Sequence, residues 1–156
     1  MYNIIFVCYG NICRSPMAEM IFKDLIYKNS KRFLFSCISR STSIEEIGND
    51  IYPKAKDILK KYNINIESHK ATQLTKEDYN KYDLIIAFEE RNIRDIKHII
   101  GEDSYNKIHL LGEYLDNRQI ADPWYTDDFE RAFDDISKCV LAMYNKLIEE
   151  AKNNEI

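Results

Sequence analysis

The sequence predicts an α/β fold, a four-stranded parallel sheet with helices on both faces. Two observations carry that reading. Asn3–Val7 and Asp83–Phe88 are apolar without interruption after their first residue, the pattern of strands buried on both sides. Such runs alternate with segments whose apolar residues recur every three or four positions, which is helical periodicity. The chain has 156 residues, 45% of them hydrophobic. With no linker, repeat or low-complexity tract, residues 1–156 read as a single domain.

The elements follow in order. Asn3–Val7 is the first strand. A helix opens at Arg14–Pro16, with Pro16 suited to its first turn and Met17, Met20, Ile21 and Leu25 on one face. Phe33–Ser39 alternates as the second strand, and a polar loop runs from Arg40 to Asp50. Tyr52–Tyr62 is helical, with Ala55, Ile58 and Leu59 on its apolar face. Thr75-x-x-Asp78 has the form of a helix start. Asp83–Phe88 is the third strand, Arg91–Ile99 a helix and Lys107–Leu111 a shorter strand. Asp127 and Asp128 are placed to cap a long last helix striped by Phe129, Phe133, Ile136, Val140, Met143 and Leu147.

Composition removes several classes of function. Basic residues number 22 and acidic residues 26, for a net charge of −4, so the basic excess of a general nucleic-acid binder is missing. No apolar run approaches the ~20 residues of a membrane helix, and Ile4–Cys8 is too short for a secretory core. The chain reads as cytoplasmic, where Cys8, Cys13, Cys37 and Cys139 are expected to be thiols. Cys8 and Cys13 lack a second Cys/His pair at matching spacing, so no metal is expected.

The chemistry concentrates between the first strand and the first helix, in Cys8-Tyr9-Gly10-Asn11-Ile12-Cys13-Arg14-Ser15-Pro16. A strand-to-helix turn can point several backbone N–H groups inward, and the helix dipole adds positive potential there. Gly10 permits a left-handed backbone and Asn11 tolerates one. Arg14 offers a planar fork matched to two oxygens of an anion. This makes a phosphate-binding loop of Tyr9, Gly10, Asn11, Ile12, Cys13, Arg14 and Ser15. Cys8 lies at its mouth, where the same electrostatics favour a thiolate placed for in-line attack on phosphorus, with Ser15 able to donate to the sulfur.

These residues, Val7 through Pro16, resemble the signature of the low-molecular-weight protein tyrosine phosphatases. The likeness extends along the chain to Ile47-Gly48-Asn49, Thr75-Lys76-Glu77-Asp78 and Asp122-Pro123-Trp124-Tyr125. It implies hydrolysis of phosphotyrosine through a phosphocysteine intermediate without cofactor or metal. Cys8 would be the nucleophile, Arg14 the phosphate clamp and Asp122 the general acid and base, with Pro123 stiffening its loop. The resemblance further implies a supporting network of Asn11, Ser15, Ser39 and His69, while His98 and His109 have no such match. It implies a substrate cleft walled by Tyr9, Glu45, Glu46, Trp124 and Tyr125, the aromatic walls suiting a phenyl ring. With Asp127 and Asp128, Glu45 and Glu46 make this rim acidic and favour basic residues beside the phosphotyrosine. Cys13 would form a reversible disulfide with Cys8 on oxidation, whereas Cys37 and Cys139 read as core residues. The implied partners are tyrosine-phosphorylated proteins and a cognate tyrosine kinase, the implied state a monomer or weak dimer.

Two departures from the family pattern, Thr72 in place of Arg and Glu89 in place of Asp, are expected to lie away from the chemistry. Other readings fare worse. A thiol-dependent arsenate reductase on this fold needs cysteines near the end of the third strand, and Asp83–Ile99 has none. A protein arginine phosphatase of similar sequence carries Thr where Ile12 stands. A non-catalytic phosphate binder would lack Cys8 or Asp122, and a zinc or disulfide-relay protein leaves Arg14 and Asp122 without a role.

Overall fold

The structure, a computed structural model, describes residues 1–153; the last three residues of the expected 1–156 domain lie outside the described residues. Four strands, β1 (Tyr2–Cys8), β2 (Phe35–Ser41), β3 (Leu84–Ala87) and β4 (Ile108–Leu110), form one sheet in the order β2-β1-β3-β4. Every neighbouring pair is parallel. The helices are α1 (Arg14–Lys28), α2 (Pro53–Lys61), α3 (Asp78–Lys81), α4 (Glu90–Ile100), α5 (Pro123–Thr126) and α6 (Phe129–Lys152).

The period-two alternation of β1 divides the core between the two faces of the sheet. Ile4, Phe6 and Cys8 pack with residues of α1, α2 and α6. Ile5 and Val7 pack with Tyr79 of α3 and with Ile96 and Ile100 of α4. Phe6, Phe22, Phe35 and Tyr144 meet edge to face at centroid separations of 5.9 to 6.5 Å, tying β1 and β2 to α1 and α6. All six stripe residues of the last helix are buried. Among the described residues no helix is long and apolar enough to cross a membrane.

The differences from the sequence expectations are local. β2 begins at Phe35, leaving Phe33 exposed, and runs on to Ser41 because Ser41 pairs with Cys8. Thr75 and Asp78 do bond, amide to carboxylate at 2.8 Å, but the helix is a single turn. Only Asp128 caps α6, accepting from the Arg131 amide at 3.0 Å. Asp127 instead closes α5 in a left-handed conformation (φ 57°). α5 and a 3-10 turn at Leu111–Tyr114 escaped the sequence analysis, because four residues contain barely one helical period.

From β1 the chain passes through α1 to β2 on one side, then crosses back to β3 on the other. The crossovers therefore diverge between β1 and β3, and the crevice beyond their carboxyl ends is the expected ligand site of such a sheet. Cys8 is the last residue of β1 and stands at that crevice.

The turn after β4 is held by a tight approach. A Cβ on Gly112 would come within 1.7 Å of the Arg118 carbonyl oxygen, backbone against backbone. Gly112 also accepts from the amides of Leu115 and Asn117. Gly112→Ala is expected to lower stability by ~1–3 kcal/mol, as overpacking does. Urea unfolding of the two proteins checks this, and unchanged midpoints would contradict it.

Candidate active site

The segment between Cys8 and Arg14 turns sharply. Asn11, not Gly10, takes the left-handed conformation (φ 60°). Asn and Asp accept that region more readily than other non-glycine residues. The turn brings the Asn11 amide back to within 3.3 Å of Cys8 Sγ, and Ser15 Oγ lies 3.0 Å from the same sulfur. Ser15 Oγ already accepts from Asn11 Nδ2 at 2.8 Å, and for its own proton the sulfur is a nearer acceptor than the Arg40 carbonyl at 3.5 Å. No side chain caps the amino end of α1, which begins at Arg14 directly beside this sulfur.

Asn11 is fully buried and uses all of its polar groups. Nδ2 donates to Ser15 Oγ and, at 2.9 Å, to Ser39 Oγ at the inner end of β2. Oδ1 accepts the Thr72 amide at 3.1 Å. The carbonyl lies 2.7 Å from His69 Nε2, and since a carbonyl only accepts, Nε2 is the donor. The four residues named from sequence as a network are thus joined by hydrogen bonds. His98 and His109 lie elsewhere, His109 against Glu113 at 3.0 Å.

Sequence reasoning missed two contributors. Glu19, 8% exposed, accepts from Ser39 Oγ at 2.6 Å and pairs with Lys23 at 2.5 Å. Burial, the largest single influence, opposes the Lys23 charge, but the bond to Glu19 and the charges of Glu19 and Glu67 together outweigh it and raise the ammonium above its ordinary value. The available signal was a carboxylate one helical turn beyond Ser15, set among Ala18, Met20 and Ile21. Glu89 is the second, and here the expectation is corrected. Its Oε2 lies 2.5 Å from Arg14 Nη1, so it touches the proposed chemistry directly. Glu89 also stands at the N-cap position of α4, where its amide donates to Asn92 Oδ1 at 3.2 Å and leaves its side chain to Arg14. The Thr72 side chain bonds only Lys70 O, yet its amide serves Asn11.

Arg14 is 2% exposed. Besides Glu89, Nη1 donates to the Ile120 carbonyl at 2.8 Å, and Nη2 lies 3.4 Å from Asp122 Oδ2. The guanidinium rides 5.9 Å from the Phe88 ring centroid. A buried cation needs such partners, and two carboxylates and a carbonyl supply them. Asp122 is the N-cap of α5, its Oδ1 accepting the Trp124 amide at 3.0 Å, which aims the carboxylate.

Cys8, Arg14 and Asp122 line one cavity of about 90 Å³. Gly10, Ile12 and Cys13 contribute to its lining, and Tyr9, Glu45, Glu46, Trp124 and Tyr125 complete it. Trp124 is braced edge to face by Tyr52 at 5.1 Å, and Tyr52 stacks on Phe129. All four cysteines are free thiols. Burial pushes the Cys13 thiol well up, does the same to Cys37, and raises Cys139 to about 11. Among the described residues, no three His, Cys, Asp or Glu side chains are grouped to hold a metal ion.

The family model described as low molecular weight phosphotyrosine protein phosphatase matches residues 3–154. A chicken protein named low molecular weight phosphotyrosine protein phosphatase is 37% identical over 150 residues, covering 92% of this chain and 94% of its own. The crystal structure of YfkJ from Bacillus subtilis superposes with a TM-score of 0.92 at 31% identity, over 96% of each chain. A low molecular weight protein tyrosine phosphatase from Streptococcus pyogenes gives 0.85 at 35% identity, over 94% of this chain and 93% of that one.

Removal of the Asn11 side chain separates its two contributions. Asn11→Ala loses the buried hydrogen bonds and strains the left-handed backbone, whereas Asn11→Gly loses only the bonds. Both are expected to be destabilised, Ala by ~1–2 kcal/mol more than Gly. Equal denaturation midpoints for the two variants would contradict this account.

Proposed function

Because this chain belongs to the low molecular weight phosphotyrosine protein phosphatases, we propose that it hydrolyses phosphotyrosine through a phosphocysteine intermediate formed on Cys8, with Arg14 holding the phosphate and Asp122 moving the proton. The reading is supported above all by two hydrogen-bond donors, Ser15 Oγ and the Asn11 amide, converging on the Cys8 sulfur inside the cavity that Arg14 and Asp122 also line. Donors aimed at a sulfur suit the anion that must attack.

In the first step the Cys8 thiolate attacks phosphorus from below. The S–P bond forms as the P–O bond to the phenol breaks, and the electron pair goes to the phenolic oxygen. A phenolate leaves poorly, so Asp122 protonates it. Phosphate takes the Nη2 side of Arg14 that faces Asp122, and the carboxyl turns toward the leaving group. Glu89 and the Ile120 carbonyl keep Nη1 in place meanwhile. In the second step water attacks phosphorus, gives its proton to Asp122, and releases inorganic phosphate and the thiolate. Arg14 and the amino end of α1 supply the stabilising potential at the equatorial oxygens, so the reaction proceeds without a metal. Trp124 and Tyr9 face the phenyl ring across the cleft. The setting that goes with this chemistry is cytoplasmic. A monomer or weak dimer acts there on tyrosine-phosphorylated proteins supplied by a cognate tyrosine kinase, without nucleic acid or membrane.

Phosphate release from a phosphotyrosine peptide in EDTA with fresh reductant tests the reading. The natural chain is expected to turn over and Cys8→Ser to be inactive. Asp122→Asn is expected to lose ~10²–10⁴-fold in kcat on the peptide, and much less on a nitrophenyl phosphate whose leaving group needs no proton. Activity in Cys8→Ser, or its loss from the natural chain on adding EDTA, would overturn the mechanism.

Cys8 and Cys13 wall the same cavity, which supports a protective disulfide. Hydrogen peroxide would convert the Cys8 thiolate to the sulfenic acid, and the Cys13 thiol would displace water from it to close the S–S bond. Burial keeps Cys13 protonated, so closure is slow. After brief peroxide treatment, dithiothreitol is expected to restore the natural chain more fully than Cys13→Ser. Equal recovery would count against the disulfide.

A further inference from the structure

The catalytic cavity is not isolated. Across Tyr9, a second cavity of about 380 Å³ shares Tyr9, Arg14, Asp122 and Tyr125 with it and adds Arg91, Asn92 and Gln119. A third hollow of about 270 Å³ beside Arg131 shares Gln119, Ala121 and Thr126 with the second. Together they form a trough leading away from the phosphate site. We propose that this trough receives the polypeptide next to the phosphotyrosine and that Arg91 reads an acidic side chain there. The inference rests on the phosphatase reading and adds a substrate class to it.

Three side chains along the trough carry N–H donors that no described acceptor takes. The Arg91 guanidinium sits 4.6 Å over the Tyr9 ring, and Tyr9 is itself pinned by its hydroxyl donating to Glu45 at 2.8 Å. Stacking holds the guanidinium at the lip between the two cavities before any ligand arrives, which reduces the entropy lost on binding. Arg91 Nε reaches Asp95 only at 3.8 Å, and neither Nη atom bonds a described residue. Asn92 is fully buried on the trough wall. Its Oδ1 accepts the amides of Phe88 and Glu89, while its Nδ2 has no partner. A buried donor without an acceptor is uncommon and marks a place where an incoming acceptor is favoured. Gln119 spends its Oε1 on the Glu90 amide, leaving its amide nitrogen.

The carboxylates nearby are already engaged. Glu89 and Asp122 face Arg14, and Glu45 holds Tyr9. Of the other acids expected to make the rim favour basic sequences, Glu46 accepts from Asn49, Asp127 pairs with Lys54 and Asp128 caps α6. The carboxylates nearest Arg91 itself are Glu90, exposed and adjacent in sequence, and Asp95, 3.8 Å from Arg91 Nε. The unspent hydrogen-bonding capacity of the trough is donor in character, and it selects an acceptor-rich, acidic flank.

The test uses phosphotyrosine peptides carrying three aspartates, three alanines or three lysines on the amino or the carboxyl side. Each is turned over by the natural chain, Arg91→Ala and Arg91→Glu, and the readout is the kcat/KM ratio between peptides within each protein. On one side of the phosphotyrosine the natural chain is expected to prefer aspartate over alanine by about two- to fivefold, the range of an exposed ion pair. The preference should reside in KM and fade at high salt. Arg91→Ala should erase it, and Arg91→Glu should turn it toward lysine. Ratios that are the same in all three proteins, or a natural chain indifferent to flanking charge, would overturn the proposal. If the natural chain hydrolysed none of the peptides, the phosphatase reading would fall first and the subsite with it.

Discussion

The hydrogen bonds of Asn11 are the constraint on which the site depends. One side chain and its own backbone groups tie together the end of β1, the start of α1, the inner end of β2 and the segment from His69 to Thr72. The last two of these lie far along the chain from the loop, and the Tyr52 amide donating to the Ile12 carbonyl at 2.9 Å and the Ser43 amide donating to the Tyr9 carbonyl at 3.0 Å add to the hold. Its left-handed backbone aims its own N–H at the Cys8 sulfur. Its buried amide would be costly if any partner were missing, because an unpaired polar group in the interior loses its solvation without return. Full satisfaction turns that cost into rigidity, and rigidity is what preorganised donors need to be effective in catalysis.

Arg14 is the second fixed point, and it organises the opposite wall. Its buried charge draws Glu89 from the start of α4, the Ile120 carbonyl and Asp122 from the start of α5. A helix start, an irregular segment and a one-turn helix are thereby gathered around one guanidinium. Glu89 stands at the N-cap position of α4 and holds Arg14 with its carboxylate, so the register of α4 and the position of the phosphate clamp are linked. The same register sets Arg91 over Tyr9 and Asn92 against the trough. Chemistry and substrate reading thus share a helix terminus.

The phosphate loop was legible in the sequence because its parts are contiguous. Cysteine, glycine, asparagine, arginine and serine between an apolar run and a helical pattern specify an anion site from local chemistry alone. The four-stranded parallel sheet was legible for a similar reason, since uninterrupted apolar strands and period-matched helices each declare themselves within a few residues. The short elements α5 and the turn at Leu111–Tyr114 did not, because a single turn has no periodicity to detect.

Sequence by itself determined the longer elements, their burial pattern and the residues able to do chemistry, since propensity, periodicity and side-chain functional groups are properties of local chain. Only the tertiary structure decided which of those residues meet. It chose Asn11 over Gly10 for the left-handed position, brought Glu89 onto Arg14 and Glu19 onto Ser39, and gave Asp127 to α5 while Asp128 capped α6. It also engaged the rim carboxylates and left Arg91 with its donors open. These outcomes depend on the crossing of the chain between β1 and β3 and on the need to pair every buried charge, and neither can be read from residues adjacent in sequence.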